Sequence, residues 1–89
     1  MHNGEFLPGM TLPPSLHGGL RRRLAEISGA IGIGNCLIAQ ARVEGMVEAL
    51  ERLEALEPGA IERLYVLVEQ TTTVRLHELE RERSEGGCD

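Results

Sequence analysis

A chain of 89 residues with a formal charge of −5, no lysine, one Phe, one Tyr and no Trp has room for one small domain. Nine Arg against fourteen acids argue against non-specific binding to nucleic acid, because counterion release needs clustered positive charge. An apolar content drawn almost entirely from aliphatic residues favours helix-on-helix packing over a sheet, and no apolar run approaches the ~20 residues that span a bilayer.

Charge is unevenly shared. Residues 1–43 carry four Arg against two Glu, and residues 44–89 carry five Arg against twelve acids. The exclusive use of Arg, with Glu for thirteen of the fourteen acids, suggests a GC-rich, bacterial origin. Cys36 and Cys88 lie too far apart for a redox or metal-binding spacing, so reduced thiols and a cytoplasmic location are expected, with neither secretion nor membrane insertion.

Residues 1–14 hold Gly4, Pro8, Gly9, Pro13 and Pro14 without a sustained apolar period, which predicts a flexible N-terminal arm. Phe6, Leu7, Met10 and Leu12 could pin that arm to a groove. Residues 15–83 read as a single helical domain. Ser15 is a good N-cap, and Leu16, Leu20, Leu24, Ile27 and Ile31 then share one helical face, although Gly18 and Gly19 could delay the start to Leu20.

Ser28 to Asn35 contains three glycines, which would cost roughly 3 kcal/mol of helix propensity, so a helix break here or close backbone packing is expected. Gly32-Ile33-Gly34-Asn35-Cys36-Leu37 is not a nucleotide-binding loop, since no strand precedes it and Leu37 stands where the third glycine would be. Asn35 is the predicted cap of a second helix running to about Glu57. Cys36, Ala39, Val43, Met46, Val47, Leu50 and Leu53 form its broad apolar face, and Ile38, Ala41, Gly45, Ala49 and Leu56 form a narrower stripe opposite.

The chain turns at Leu56-Glu57-Pro58-Gly59-Ala60, with Pro58 suited to the first position of a third helix. Ile61, Leu64, Tyr65, Val68, Thr72, Leu76 and Leu79 mark its core face, and Ala60, Leu67 and Val74 repeat on another. A loop this short joins antiparallel neighbours, placing Arg83 near Gly32. Residues 84–89 read as a disordered C-terminal tail. The expected fold is therefore all-α: an antiparallel hairpin of the second and third helices plus an N-terminal helix, assembled into a homodimeric bundle, with that first helix folded across the hairpin or, as the alternative, projecting from a four-helix bundle of two hairpins.

No catalytic residue, metal site or cofactor is expected. His77 sits among Glu78, Glu80 and Arg81 with no metal-ligand spacing, His2 and His17 lie in or beside the arm, and Cys36 reads as a buried thiol. The functional expectation is a small non-enzymatic regulatory protein that binds another protein, such as a transcription regulator, and inhibits its dimerisation or DNA binding. Its candidate partner or dimer surface is Ile38, Ala41, Gly45, Ala49, Leu56, Leu67 and Val74. Glu44, Glu48, Glu51, Glu54 and Glu57 would complement a basic partner. In architecture the chain resembles small bacterial anti-activators, antitoxins and phage-encoded inhibitors.

Arg21, Arg22 and Arg23 are candidate contacts to an acidic partner or to phosphate, which would make the protein a dimeric DNA-binding protein. The helix after Pro58 is too poor in basic residues to serve as a recognition helix. A structural assembly subunit is the third possibility.

Overall fold

The computed structural model describes residues 4–86. A short hairpin of β1 (Glu5–Leu7) and β2 (Met10–Thr11) precedes three helices, α1 (Pro14–Ser28), α2 (Ile33–Arg52) and α3 (Pro58–Gly86). Helices α2 and α3 pack closely as an antiparallel pair, and α1 folds back to contact both. Leu20, Leu24 and Ile27 of α1 meet Cys36, Ala39, Val43 and Val47 of α2 and Ile61, Leu64, Val68 and Leu79 of α3 in one core. The apolar periods of the sequence identify these inward positions. Tyr65 donates a hydrogen bond to Glu51 Oε1 at 3.4 Å, within one residue of the register expected from the turn.

The hairpin departs from the unstructured arm expected over residues 1–14. Pro8 and Gly9 make its two-residue turn, with Gly9 at φ 79°, the combination of a type II turn. Glu5 pairs with Thr11 and Leu7 with Met10, so Phe6 is the extra residue of a bulge. In an unbroken ladder Phe6 would share a face with exposed Thr11. The bulge turns it to the side of Met10 and Leu12, and all three are buried.

Helix ends differ from the sequence expectation at four places. α1 starts at Pro14, with the Pro13 carbonyl accepting from His17 N at 2.8 Å, because a proline in the first turn is already set in helical φ and outweighs the weak Gly18-Gly19 pair. The glycine-rich stretch does break the chain: α1 stops at Ser28, so Ile31 leaves the α1 core face and stands 86% exposed while Ala30 is buried in its place. Gly32, not Asn35, is the residue before α2, in extended conformation and with no side-chain cap.

α2 ends at Arg52, five residues before the expected Glu57, and the turn occupies 53–57. Glu54 lies at φ 53°, Ala55 N donates to Leu50 O and Glu54 N to Glu51 O, which together form a Schellman cap. Leu53, placed by periodicity on the core face, is exposed as a result. A left-handed glutamate carries steric cost that glycine avoids, so Glu54→Gly should stabilise the fold by about 0.5–1 kcal/mol. Urea unfolding would read this as a higher midpoint at unchanged slope, and a lower midpoint would mean that Glu54 contributes contacts outweighing its strain.

α3 continues to Gly86, past the expected end at Arg83; the remainder of the predicted tail, with Cys88, lies outside the described residues, as does His2. Of the mid-helix threonines, Thr72 is buried and donates to Val68 O, and Thr71 donates to Leu67 O, each at 2.8 Å. Their hydroxyls are thus satisfied within α3 itself. No helix among the described residues is long and apolar enough to cross a membrane.

Candidate interaction surface

The three helices use one face each for the core, and the backs of α2 and α3 are left over. On α2, Ile38 is 54% exposed, and Ala41, Gly45 and Ala49 follow it along the same outward side. A Cβ built on Gly45 would meet nothing within 4 Å, so no described residue packs closely at that point of the stripe. Between α1 and α2, a Cβ built on Gly19 would meet Met46 Cε at 3.7 Å, an ordinary contact.

The other candidate positions are divided. Leu56 is half-buried against the core in the α2–α3 turn. Leu67 is also half-buried and lines an open cleft of about 350 Å³ with Leu7, Glu62, Arg63, Val66 and Gln70, between hairpin and α3. Val74, one heptad further, is 58% exposed, and Val66 is exposed beside the cleft. The seven residues therefore supply an open α2 stripe and a separate α3 strip that the hairpin partly occupies.

Glu44, Glu48 and Glu51 run along the α2–α3 seam. Their negative charge reaches Tyr65, whose hydroxyl pKa is raised first by partial burial and then by these carboxylates. Arg52 pairs with Glu48 at 3.2 Å, both ends well exposed, a contact worth ~0–1 kcal/mol. The seam thus keeps a net acidic character beside the apolar stripe.

The three arginines of α1 do not act as one patch. Arg21 donates to the Phe6 carbonyl and stacks its guanidinium 4.2 Å from the Phe6 ring centre, while His17 meets the same ring edge-on at 5.2 Å. Arg23 pairs with Glu26 at 3.2 Å, and Arg22 is exposed. Arg63 completes the hold on the hairpin by donating to Pro8 O at 2.8 Å. Arg63 and Arg75 have structural roles that sequence spacing gives no sign of, because their acceptors are carbonyls 55 and 45 residues away.

Among the described residues, no group of three or more His, Cys, Asp or Glu could hold a metal ion. Cys36 is fully buried, and burial raises its thiol pKa, with Arg75 opposing weakly. Alkylation at neutral pH should therefore miss Cys36 in the folded protein and modify it in denaturant, as peptide mass mapping would report. Cys36 and Tyr65 both have folded pKa values above their ordinary ones, so each favours the folded state below the ordinary pKa and withdraws that preference as pH rises through the folded value. Stability should fall from about pH 9 upward, starting at the ordinary thiol range. Comparison with protein-family models, curated proteins and solved structures returned no match.

Proposed function

We infer that this is a non-enzymatic protein-binding module that works as a homodimer and inhibits a regulator by occupying the surface through which that regulator dimerises or binds DNA. The observation that carries this reading is the pair of outward apolar strips, Ile38 to Ala49 on α2 and Val66 with Val74 on α3, left uncovered on a chain too small to waste burial. The acidic seam beside them suits a basic partner, and many nucleic-acid-binding regulators are basic. Two of the three α1 arginines are engaged within the chain, which weakens the reading as a DNA-binding protein.

The test uses the tagged full chain in a GC-rich bacterial host. Wild type is expected to recover a stoichiometric regulator, and adding wild type should suppress that regulator's gel shift on DNA. Ile38→Glu or Val74→Glu should reduce recovery by about tenfold or more, as expected for an apolar anchor, with the circular dichroism spectrum unchanged. Recovery indifferent to both substitutions, or a gel shift by the chain itself that Arg22→Glu removes, would overturn the reading.

A further inference from the structure

The turn between α2 and α3 carries a cleft of about 310 Å³ lined by Glu51, Glu54, Leu56, Pro58 and Ile61. Buried Ile61, half-buried Leu56 and Pro58 make it apolar inside, and the two exposed glutamates place carboxylates at its mouth. At ~30 Å³ of liquid volume per water, the space is enough for one long side chain.

Neither carboxylate is neutralised within the chain. Among the described residues Glu54 has no hydrogen-bond or ion-pair partner, and Glu51 accepts only from the neutral Tyr65 hydroxyl at 3.4 Å. Arg52, between them in sequence, is paired with Glu48. The Tyr65 hydroxyl registers the surrounding charge, since burial first and then Glu51, Glu48 and Glu44 raise its pKa. Glu54 is also held at φ 53°, in a cap position where glycine costs less, and no polar contact among the described residues offsets that cost. A charge kept in a costly conformation beside an apolar hollow points toward a cation from outside the chain.

The walls select among cations. A bare ion or a small amine would gain nothing from Leu56, Pro58 and Ile61, whereas a long basic side chain lays its aliphatic stem on apolar surface and keeps its charged head at the rim. A guanidinium suits two carboxylates better than an ammonium does, because its planar fork donates in two directions at once. We propose that this cleft is the receptor for an arginine side chain of a basic partner protein, the stem lying on Leu56, Pro58 and Ile61 and the guanidinium between Glu51 and Glu54.

This assignment rests on the basic-partner part of the proposed function and names a point of contact for it. NMR titration of the isotope-labelled full chain with an acetylated, amidated Gly-Arg-Gly peptide reads it, and the same peptide with citrulline keeps the shape without the charge. The arginine peptide should give saturable shifts at Glu54, Leu56 and Ile61 with a dissociation constant of about 1–10 mM, as one anchored side chain would. Citrulline should bind about tenfold more weakly. Glu51→Gln and Glu54→Gly should each weaken arginine binding about three- to fivefold, the size of one partly exposed ion pair. Glu54→Gly is the sharper variant, because it is expected to stabilise the fold and its loss of binding cannot come from unfolding. Equal shifts with citrulline, unsaturable shifts spread over Glu44, Glu48 and Glu69, or an affinity unmoved in both variants would overturn the site. A failed titration alongside regulator recovery that still depends on Ile38 removes this site and leaves the proposed function standing; a saturable arginine site on a chain that recovers no regulator does the reverse.

Discussion

Replacing Phe6 with alanine is expected to lower stability by about 3 kcal/mol, a fall in melting temperature of about 12–24 °C for a domain of this size. The residue is 2% exposed, in a segment that a sequence reader would leave loose. A two-stranded hairpin has no independent stability in water, so β1 and β2 persist only through what they bury and through the two arginines that hold their carbonyls. Removing the ring takes away the core contact, the cation–π partner of Arg21 and the edge contact with His17 together. Phe6→Leu keeps most of the burial and loses the ring electrostatics, so it should cost about 1 kcal/mol. A melting temperature within about 2 °C of wild type for Phe6→Ala would show that the hairpin detaches without the helices noticing.

The helical core was legible because it depends on spacing alone. Leu20, Leu24 and Ile27, then Cys36, Ala39, Val43 and Val47, then Ile61, Leu64, Val68, Thr72 and Leu79 recur at helical intervals and are all buried. The register of α2 on α3 also follows from the short connection, as Tyr65 opposite Glu51 and Arg83 beside Gly32 show. Helix ends were less legible, since single-residue backbone choices decide them. No propensity scale would choose Glu54 for a left-handed cap, yet once it adopts one, Leu53 leaves the core face and the turn moves toward the N-terminus.

The hairpin had a local signal, Pro8-Gly9 between Phe6-Leu7 and Met10-Thr11-Leu12, but the bulge that turns Phe6 inward had none. A chain read two residues at a time would place Phe6 on the wrong side of the strand. The candidate surface divides in the same way. Ile38, Ala41, Gly45 and Ala49 stay outward because α2 runs unbroken through them, whereas Leu56 lies in the turn and Leu67 beside the hairpin, elements whose geometry is not periodic. Ile31 shows the strongest reversal: continued α1 spacing would bury it, and the break at Gly29 places it on the exposed end of the bundle.

Arg75 to methionine is expected to cost about 2 kcal/mol, or about 8–16 °C in melting temperature, although nothing in its sequence surroundings marks it. The α1–α2 break frees carbonyls from helical pairing, and Ala30 O is taken up by Arg75 Nε at 2.8 Å. The same guanidinium reaches Glu78 at 3.0 Å and Glu82 at 3.5 Å while its own side chain is only 16% exposed. The two carboxylates are more exposed and screened, so most of the loss should come from the bond to Ala30 O and should change little between low and high salt. Arg75→Lys separates charge from shape. A lysine keeps the charge on one nitrogen and cannot donate to the loop carbonyl from the Nε position while also meeting the carboxylates, so it should recover less than half of the lost stability. Full recovery with lysine, or a loss that disappears in high salt, would show that Arg75 acts as a charge near an acidic helix end and leaves the α1–α2 connection to hold itself.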